Sequence, residues 1–177
     1  MPLFADTTAL RRFTAIGQLG LLREYGTELV IGPEILMELG RLRPQIETEI
    51  ERGWIRVETP SMSQVALPKK GAPELDQGEA ELLALFITLG TSNSRLLIDE
   101  GNAYQFVRGA LKNRSRQMRC VARVLQELQD TDAIGSATDL FQRMLDEAGY
   151  RWANPVWRDY ERWCSEEGRD PLPNPRA

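Results

Sequence analysis

The 177-residue sequence contains no histidine, and this absence removes several classes of active site. Serine and cysteine hydrolases normally use histidine as their general base, and histidine is a common ligand of zinc. The two cysteines, Cys120 and Cys164, are too far apart in sequence to form a metal-binding or redox motif. An enzyme with this sequence therefore has to use carboxylates, hydroxyl groups, lysine and arginine, with or without a hard metal ion.

Two further absences concern phosphate loops and membranes. No glycine-rich phosphate loop of the GxxxxGK[ST] or GxGxxG kind occurs. No apolar run approaches the roughly 20 residues that a membrane span needs, and no basic segment followed by an apolar signal core is found near the N-terminus. We therefore expect a cytoplasmic protein with no membrane partner, with one domain over residues 1–167 and a flexible, proline-rich tail over 168–177.

Acidic residues are also missing from one long stretch of the chain. Between Glu100 and Glu127 the only charged residues are six basic ones: Arg108, Lys112, Arg114, Arg116, Arg119 and Arg123. Removing these six charges from the net charge of −4 leaves −10 on the rest of the chain. Arg116, Arg119 and Arg123 have the spacing of one helical face. Two interpretations of the segment Arg114 to Arg123 remain open. Its arginines either form a nucleic-acid-binding surface, or they face the solvent and pair with acidic side chains elsewhere in the chain.

Apolar runs and capping signals predict alternating strands and helices. Strands are predicted at Pro2–Ala5, Leu29–Ile31, Trp54–Val57 and Leu96–Ile98, with a candidate edge strand near Met118–Val121. A helix is predicted to start at Asp76, because Glu79 follows at the spacing of a capping box. Further helices are predicted near residues 136–148 and 154–166, and residues 58–75 are expected to form a loop. This order is typical of an α/β fold with a central parallel sheet and helices on both faces.

Acidic residues follow the ends of the predicted strands. Asp6 ends the first strand, and Asp99 and Glu100 end the most hydrophobic one. Glu38 lies one turn into the helix after the second strand, and Glu79 lies at the start of the helix that leads into the Leu96 strand. The carboxyl ends of parallel strands form the functional crevice of such sheets, so these acids are expected to meet there.

Clustered carboxylates repel one another, and a hard divalent cation such as Mg²⁺ or Mn²⁺ removes the repulsion. The chemistry that such a site favours is phosphodiester hydrolysis. Each acid also has a structural interpretation: Asp6 as a helix cap, Glu79 as a residue of a first helical turn, and Glu38 as a solvated helix residue. The joint placement of the acids favours a shared site.

Four short segments of the sequence are similar to motifs of a known family: Ala5–Thr8, Val30–Leu39, Gly78–Glu81 and Leu96–Glu100. Together they resemble the PIN-domain family, and the last two are similar to a PIN-like, nucleic-acid-binding branch related to VapC-type toxins. The resemblance implies a three-layer sandwich with a helical C-terminal extension. It also implies a metal-dependent endoribonuclease that is the toxin of a toxin–antitoxin pair. The implied cofactor is Mg²⁺ or Mn²⁺, the implied substrate is RNA, and the candidate partners are an antitoxin protein and a second copy of the chain in a homodimer.

The resemblance further implies roles for individual residues. Asp6, Glu38, Glu79 and Asp99 would be the catalytic, metal-binding quartet, and Thr8 would support Asp6. The related branch usually has two aspartates where this chain has Asp99 and Glu100, so either residue is a candidate metal ligand. The arginine-rich segment replaces the Gly-Thr strand that is expected next, which leaves the fifth strand open.

Two other functions fit the same pattern of acids. One is a catalytically inactive PIN fold that serves as an RNA- or protein-binding module. The other is a phospho-acceptor receiver domain, which also places acids at strand ends. The receiver is disfavoured because no lysine follows the Leu96 strand in the usual way and the first strand ends in a single acid, Asp6.

Overall fold

The computed structural model describes residues 1–149 and 153–174, and it confirms the predicted alternation of strands and helices. The strands are β1 (Pro2–Ala5), β2 (Glu28–Ile31), β3 (Ile55–Val57), β4 (Arg95–Leu97) and β5 (Met118–Arg119). The helices are α1 (Thr7–Ala15), α2 (Leu21–Tyr25), α3 (Pro33–Glu38), α4 (Arg43–Glu51), α5 (Met62–Gly71), α6 (Gln77–Leu89), α7 (Gly101–Ala110), α8 (Val121–Asp130), α9 (Ala137–Ala148) and α10 (Asn154–Glu166). Two 3-10 helices, Gly40–Leu42 and Lys112–Gln117, precede α4 and β5.

The five strands form one parallel sheet in the order β3-β2-β1-β4-β5. In the central strand β1, Phe4 pairs with Val30 of β2 on one side and with Leu96 of β4 on the other. All three side chains are completely buried, as expected for a sheet that helices cover on both faces. Because the strands are parallel, the residues that follow β1, β2 and β4 lie along the same edge of the sheet.

The helices pack in two groups, which confirms the predicted three-layer arrangement. In one group α9 contacts α1 and α8, and α8 contacts α2. In the other group α6 contacts α3, α5 and α7, and α7 contacts α10. Within the described residues, no helix is both long enough and apolar enough to cross a bilayer.

The loop predicted over residues 58–75 is wrong, because most of it forms helix α5. Ser61 caps this helix, and Ser61 and Gln64 form a complete capping box. Pro68 lies inside the helix and is buried, while α5 packs against α6. Packing and capping thus outweigh the unfavourable effect of an internal proline, which is about 3 kcal/mol.

The prediction that three arginines share one helical face is also wrong. Arg116 lies in the 3-10 helix, Arg119 in β5 and Arg123 in α8. The edge strand near Met118 is confirmed, because β5 pairs with β4. Met118 and Cys120 are buried on either side of the partly exposed Arg119, which is the alternation of a strand.

Residues 168–174 are the described part of the expected tail, and several of them contact the domain. The backbone N–H of Leu172, which is buried, donates to the hydroxyl of Tyr160 over 2.9 Å. Arg169 forms an ion pair with Asp130 at 2.5 Å. Side chains of α8 and α10 therefore hold the segment around Arg169 and Leu172 against the domain.

Candidate active site

The carboxyl edge of the sheet opens into a cavity of about 200 Å³ that is rich in carboxylates, and we call it the acidic cavity. Its lining residues are Asp6, Thr7, Thr8, Arg11, Ile35, Glu38, Asp76, Gly78, Glu79 and Glu100. Three members of the predicted quartet, Asp6, Glu38 and Glu79, therefore lie at one cavity. At the end of β4 the cavity residue is Glu100 and not Asp99.

Asp6 connects the end of β1 to the segment that follows β4. It is the N-cap of α1, since its Oδ1 accepts the backbone N–H of Ala9 at 2.6 Å. Its Oδ2 accepts the backbone N–H groups of Asp99 at 2.8 Å and Glu100 at 3.3 Å. The helix-cap interpretation of Asp6 is thus correct, and the same carboxylate also lines the acidic cavity.

The environment of Asp6 disfavours its charged form. The residue is only 3% exposed. Burial raises the pKa of Asp6 to about 7, and the negative charge of Asp99 contributes to the same shift. The backbone hydrogen bonds from Ala9 and Asp99 oppose it. A cation bound beside Asp6 would favour the ionised form, and perturbed carboxylates of this kind concentrate at functional sites.

The side chain of Asp99 does not line the acidic cavity and instead contacts α1 and the start of α8. One carboxylate oxygen pairs with the guanidinium of Arg12 at 2.5 Å, and the side chains are 0% and 6% exposed, respectively. The other oxygen accepts the backbone N–H of Val121 at 3.1 Å, where α8 begins. Asp99 therefore holds α1 and α8 against the end of β4, whereas Glu100, the other candidate ligand, lines the acidic cavity.

Two consecutive threonines each orient one glutamate. The hydroxyl of Thr8 donates to Oε1 of Glu100, and the hydroxyl of Thr7 donates to Oε2 of Glu38. The hydroxyl of Thr8 thus contacts Glu100, whereas the resemblance implies that it supports Asp6. Sequence reasoning missed Thr7, although its position in the first turn of α1 beside Thr8 is a usable signal.

Glu38 ends α3 and faces the start of α6 across the cavity. A Cβ atom added to Gly78 would lie 2.7 Å from Oε1 of Glu38, so the glycine provides the space for this carboxylate. Burial raises the pKa of Glu38, the charges of Asp76 and Glu34 raise it further, and Thr7 opposes the shift. The glutamate is thus partly buried and held close to other carboxylates.

Glu79 and Asp76 form the predicted capping box at the start of α6. Oε2 of Glu79 accepts the backbone N–H of Asp76 at 3.0 Å, and Oδ1 of Asp76 accepts that of Glu79 at 2.7 Å. Oε1 of Glu79 also accepts the backbone N–H of Ala103 in α7 at 3.3 Å. Burial is the main cause that raises the pKa of Glu79. Asp76 is a fifth carboxylate of the cavity, which sequence reasoning identified only as a cap.

Arg11 supplies positive charge at the rim of the acidic cavity, and sequence reasoning missed it. Its guanidinium donates to the backbone carbonyl of Glu38. Arg11 follows Thr7 by four residues in α1, so the two lie on the same helical face. This spacing is the signal that would have placed Arg11 beside the site.

The donors of the acidic cavity are of the kind that Mg²⁺ and Mn²⁺ prefer, namely carboxylate and hydroxyl oxygens. Their arrangement is less favourable, because no three Asp, Glu or Cys side chains in the described part of the chain are placed to hold a metal ion together. Backbone N–H groups hold Asp6 and Glu79, while threonine hydroxyls hold Glu38 and Glu100. The chemistry of the donor set therefore fits a divalent cation, although the side chains do not converge on one point.

The predicted nucleic-acid-binding arginines lie outside the acidic cavity, and three of them make intramolecular contacts. Arg114 donates to the carbonyls of Phe86 at 2.6 Å and Gly90 at 3.0 Å, where α6 ends. Arg119 and Arg123 share the carboxylate of Glu127 at 3.1 and 2.8 Å. Arg116 is exposed. Arg119 and Arg123 therefore fit the alternative interpretation, in which the arginines pair with acidic residues of the same chain.

A family model described as DUF3368, a PIN domain, matches residues 3–166. No curated protein and no solved structure matches the chain. PIN domains are generally nucleases and typically use divalent metals. The match includes the sheet from Leu3 onward and every lining residue of the acidic cavity, in addition to the C-terminal helices. The chain belongs to the PIN-domain family.

Proposed function

We propose that this protein is an endoribonuclease that depends on Mg²⁺ or Mn²⁺ and cleaves RNA phosphodiester bonds in the acidic cavity. The proposal is supported chiefly by one observation: four acids from distant parts of the sequence, Asp6, Glu38, Glu79 and Glu100, line that cavity. Burial, and to a lesser extent neighbouring carboxylates, raises the pKa values of Asp6, Glu38 and Glu79, and this adds support because a fold normally avoids burying acids close together.

The four acids divide into two pairs by the way they are held. Asp6 and Glu79 accept backbone hydrogen bonds, so the fold positions their carboxylates before a ligand arrives. Glu38 and Glu100 are only partly buried, and a threonine hydroxyl orients each of them. We assign cation binding to these four carboxylates, with the second pair turning toward the ligand.

A divalent cation at this site supplies a Lewis acid that activates water and neutralises charge on the phosphoryl oxygens. The protein itself contributes position and charge. Thr7 and Thr8 keep Glu38 and Glu100 directed at the cavity, and Arg11 attracts a phosphate toward carboxylates that would otherwise repel it. Because the chain has no histidine, proton transfer at this site falls to carboxylates or water.

Cleavage of a mixed RNA pool with and without Mg²⁺ or Mn²⁺ tests the proposal. Glu38→Gln and Glu100→Gln preserve side-chain size and should each lower the cleavage rate by about a hundredfold or more. Glu51→Gln makes the same change on the exposed end of α4, outside the cavity, and should cleave like the wild type. Cleavage that survives chelation of metal, or that is unchanged in Glu38→Gln, would contradict the proposal.

A catalytically inactive module that binds RNA or protein is the second candidate. It is supported by the internal hydrogen bonds of all four carboxylates and by the lack of a convergent group of acids in the described residues. RNA binding without cleavage in any divalent metal, and without a rise in melting temperature on adding metal, would favour this candidate.

We further propose, on the resemblance to VapC-type toxins, that the nuclease is the toxin of a toxin–antitoxin pair. Expression in a bacterial host should then arrest growth, and Glu38→Gln should remove the arrest while the protein still accumulates. Equal growth with both proteins would contradict a toxin role without affecting the nuclease proposal.

A further inference from the structure

A second cavity, of about 360 Å³, opens beside the acidic cavity and shares Arg11 and Glu38 with it. We call it the side cavity. Its walls come from the end of α1, the 3-10 helix Gly40–Leu42 and the end of α9. The shared side chains make the two cavities neighbours, and the side cavity has the size of a small-molecule binding site, which is about 300 Å³ or more.

The charges of the side cavity favour an anion. Arg11 donates to the backbone carbonyl of Glu38, and its positive charge also lowers the pKa of the Glu38 carboxyl, which lines the same cavity. Arg41 is exposed, and within residues 1–149 and 153–174 no ion pair involves it. On the opposite wall, the carboxylate of Glu147 is paired with Arg143 at 2.9 Å. With Glu38 beside Arg11 and Glu147 paired with Arg143, the charge of Arg41 gives the described lining of the side cavity an excess of positive charge.

The remaining walls suit the less polar parts of a nucleotide. Ala15, Leu39 and Leu42 contribute aliphatic surface between the charged side chains. Gly40 has a positive φ of 53°, a backbone conformation that glycine adopts without strain, and it leaves that part of the wall without a side chain. A phosphate beside arginine with sugar and base against aliphatic surface is a common pattern in ligand sites.

We propose that the side cavity binds the nucleotide adjacent to the scissile phosphate, with Arg41 and Arg11 contacting the RNA backbone. This inference rests on the proposed function, because it requires that the neighbouring phosphate enters the acidic cavity. The inference places the RNA strand on the face formed by α1, α3 and α9. The sequence instead predicted RNA binding by the arginine-rich segment, which lies on the other side of β4.

Binding of a short single-stranded RNA, measured without divalent metal in the Glu100→Gln background, tests the contact with Arg41. Arg41→Gln should weaken binding about tenfold, the effect of losing one hydrogen bond to a charged group. It should also reduce the magnitude of the negative slope of log K against log salt concentration by about 0.7, because one counterion fewer is released. Arg43→Gln, two residues away and outside the cavity, should bind like the parent protein.

Filling part of the side cavity with a larger side chain provides a second test, which does not depend on charge. Ala15→Leu at the end of α1 places a larger side chain in the wall of the side cavity. A minimal dinucleotide substrate has one nucleotide on each side of the cleaved bond, so one of the two should occupy the side cavity. Ala15→Leu and Arg41→Gln should each lower kcat/KM for the dinucleotide, whereas Glu51→Gln should cleave it like the wild type.

The outcomes separate this inference from the proposed function. Metal-dependent cleavage with normal RNA binding in Arg41→Gln would overturn the side-cavity inference and leave the nuclease proposal intact. Loss of binding in Arg116→Gln, with none in Arg41→Gln, would overturn it in favour of the arginine-rich segment. A loss of binding confined to Arg41→Gln would support the inference even in a protein that cleaves no RNA.

Discussion

The raised pKa of Asp6 predicts that the metal-free protein becomes less stable as the pH rises. A carboxyl group whose pKa is about 7 in the folded state, against 3.8 for the ordinary group, binds its proton more tightly when folded. Its contribution to folding is therefore fully favourable below about pH 4 and is lost as the pH rises through about 7. The total loss is about 4 kcal/mol, and more than half of it falls between about pH 5 and pH 8.

Urea unfolding of the wild type and Asp6→Asn across this pH range measures the effect. The asparagine has one acceptor oxygen in place of two, so at least one backbone N–H of Ala9, Asp99 or Glu100 loses its partner. That loss, about 1–3 kcal/mol, does not depend on pH. Comparing the two proteins at each pH therefore isolates the titration of Asp6, and other titrating groups largely cancel.

The wild type should lose about 2–3 kcal/mol relative to Asp6→Asn between about pH 5 and pH 8. Mg²⁺ or Mn²⁺ added at the higher pH should restore stability to the wild type more than to the variant, because a cation favours the ionised carboxylate of the folded state. A difference in unfolding free energy that stays constant with pH would refute this account of the acidic cavity.

Two further predictions concern residues beside the site. Asp99→Asn should lower the free energy of unfolding by about 3 kcal/mol, because it removes the charge of the carboxylate that pairs with the buried guanidinium of Arg12. A change below about 1 kcal/mol in urea unfolding would contradict the structural role of Asp99. Gly78→Ala should displace the carboxylate of Glu38, whose Oε1 lies 2.7 Å from the new Cβ position, and should reduce cleavage more than Glu51→Gln does. Wild-type cleavage by Gly78→Ala would mean that Glu38 has no role at its present position.

The elements that the sequence predicted correctly depend on short-range signals. Runs of buried apolar residues identify β1, β2 and β4, because a parallel sheet covered on both faces tolerates little else. The capping box of Asp76 and Glu79 identifies the start of α6 from residues three positions apart. Ser61 and Gln64 have the same capping-box spacing. The sequence nevertheless predicts a loop there, because Pro68 and the prolines around it are unfavourable in a helix.

The arginine-rich segment illustrates where spacing alone is misleading. Intervals of three and four residues are typical of one helical face, yet Arg116, Arg119 and Arg123 belong to three different elements. Pairing of Met118 with Leu96 decides this, since it adds β5 to the sheet and interrupts any helix. A strand of two residues has almost no recognisable sequence pattern, so it is identified only by its pairing with the neighbouring strand.

The sequence alone determined the α/β fold and the residue types that carry the chemistry, because apolar strands followed by acids depend on order along the chain. Only the tertiary structure decided which acids share the cavity. Asp99 and Glu100 are consecutive, and no local rule tells which of them faces the other acids. Their directions are set across the fold, by Arg12 for Asp99 and by Thr8 for Glu100. Partners distant in sequence, which bury one carboxylate and leave the other at the cavity, therefore complete the site.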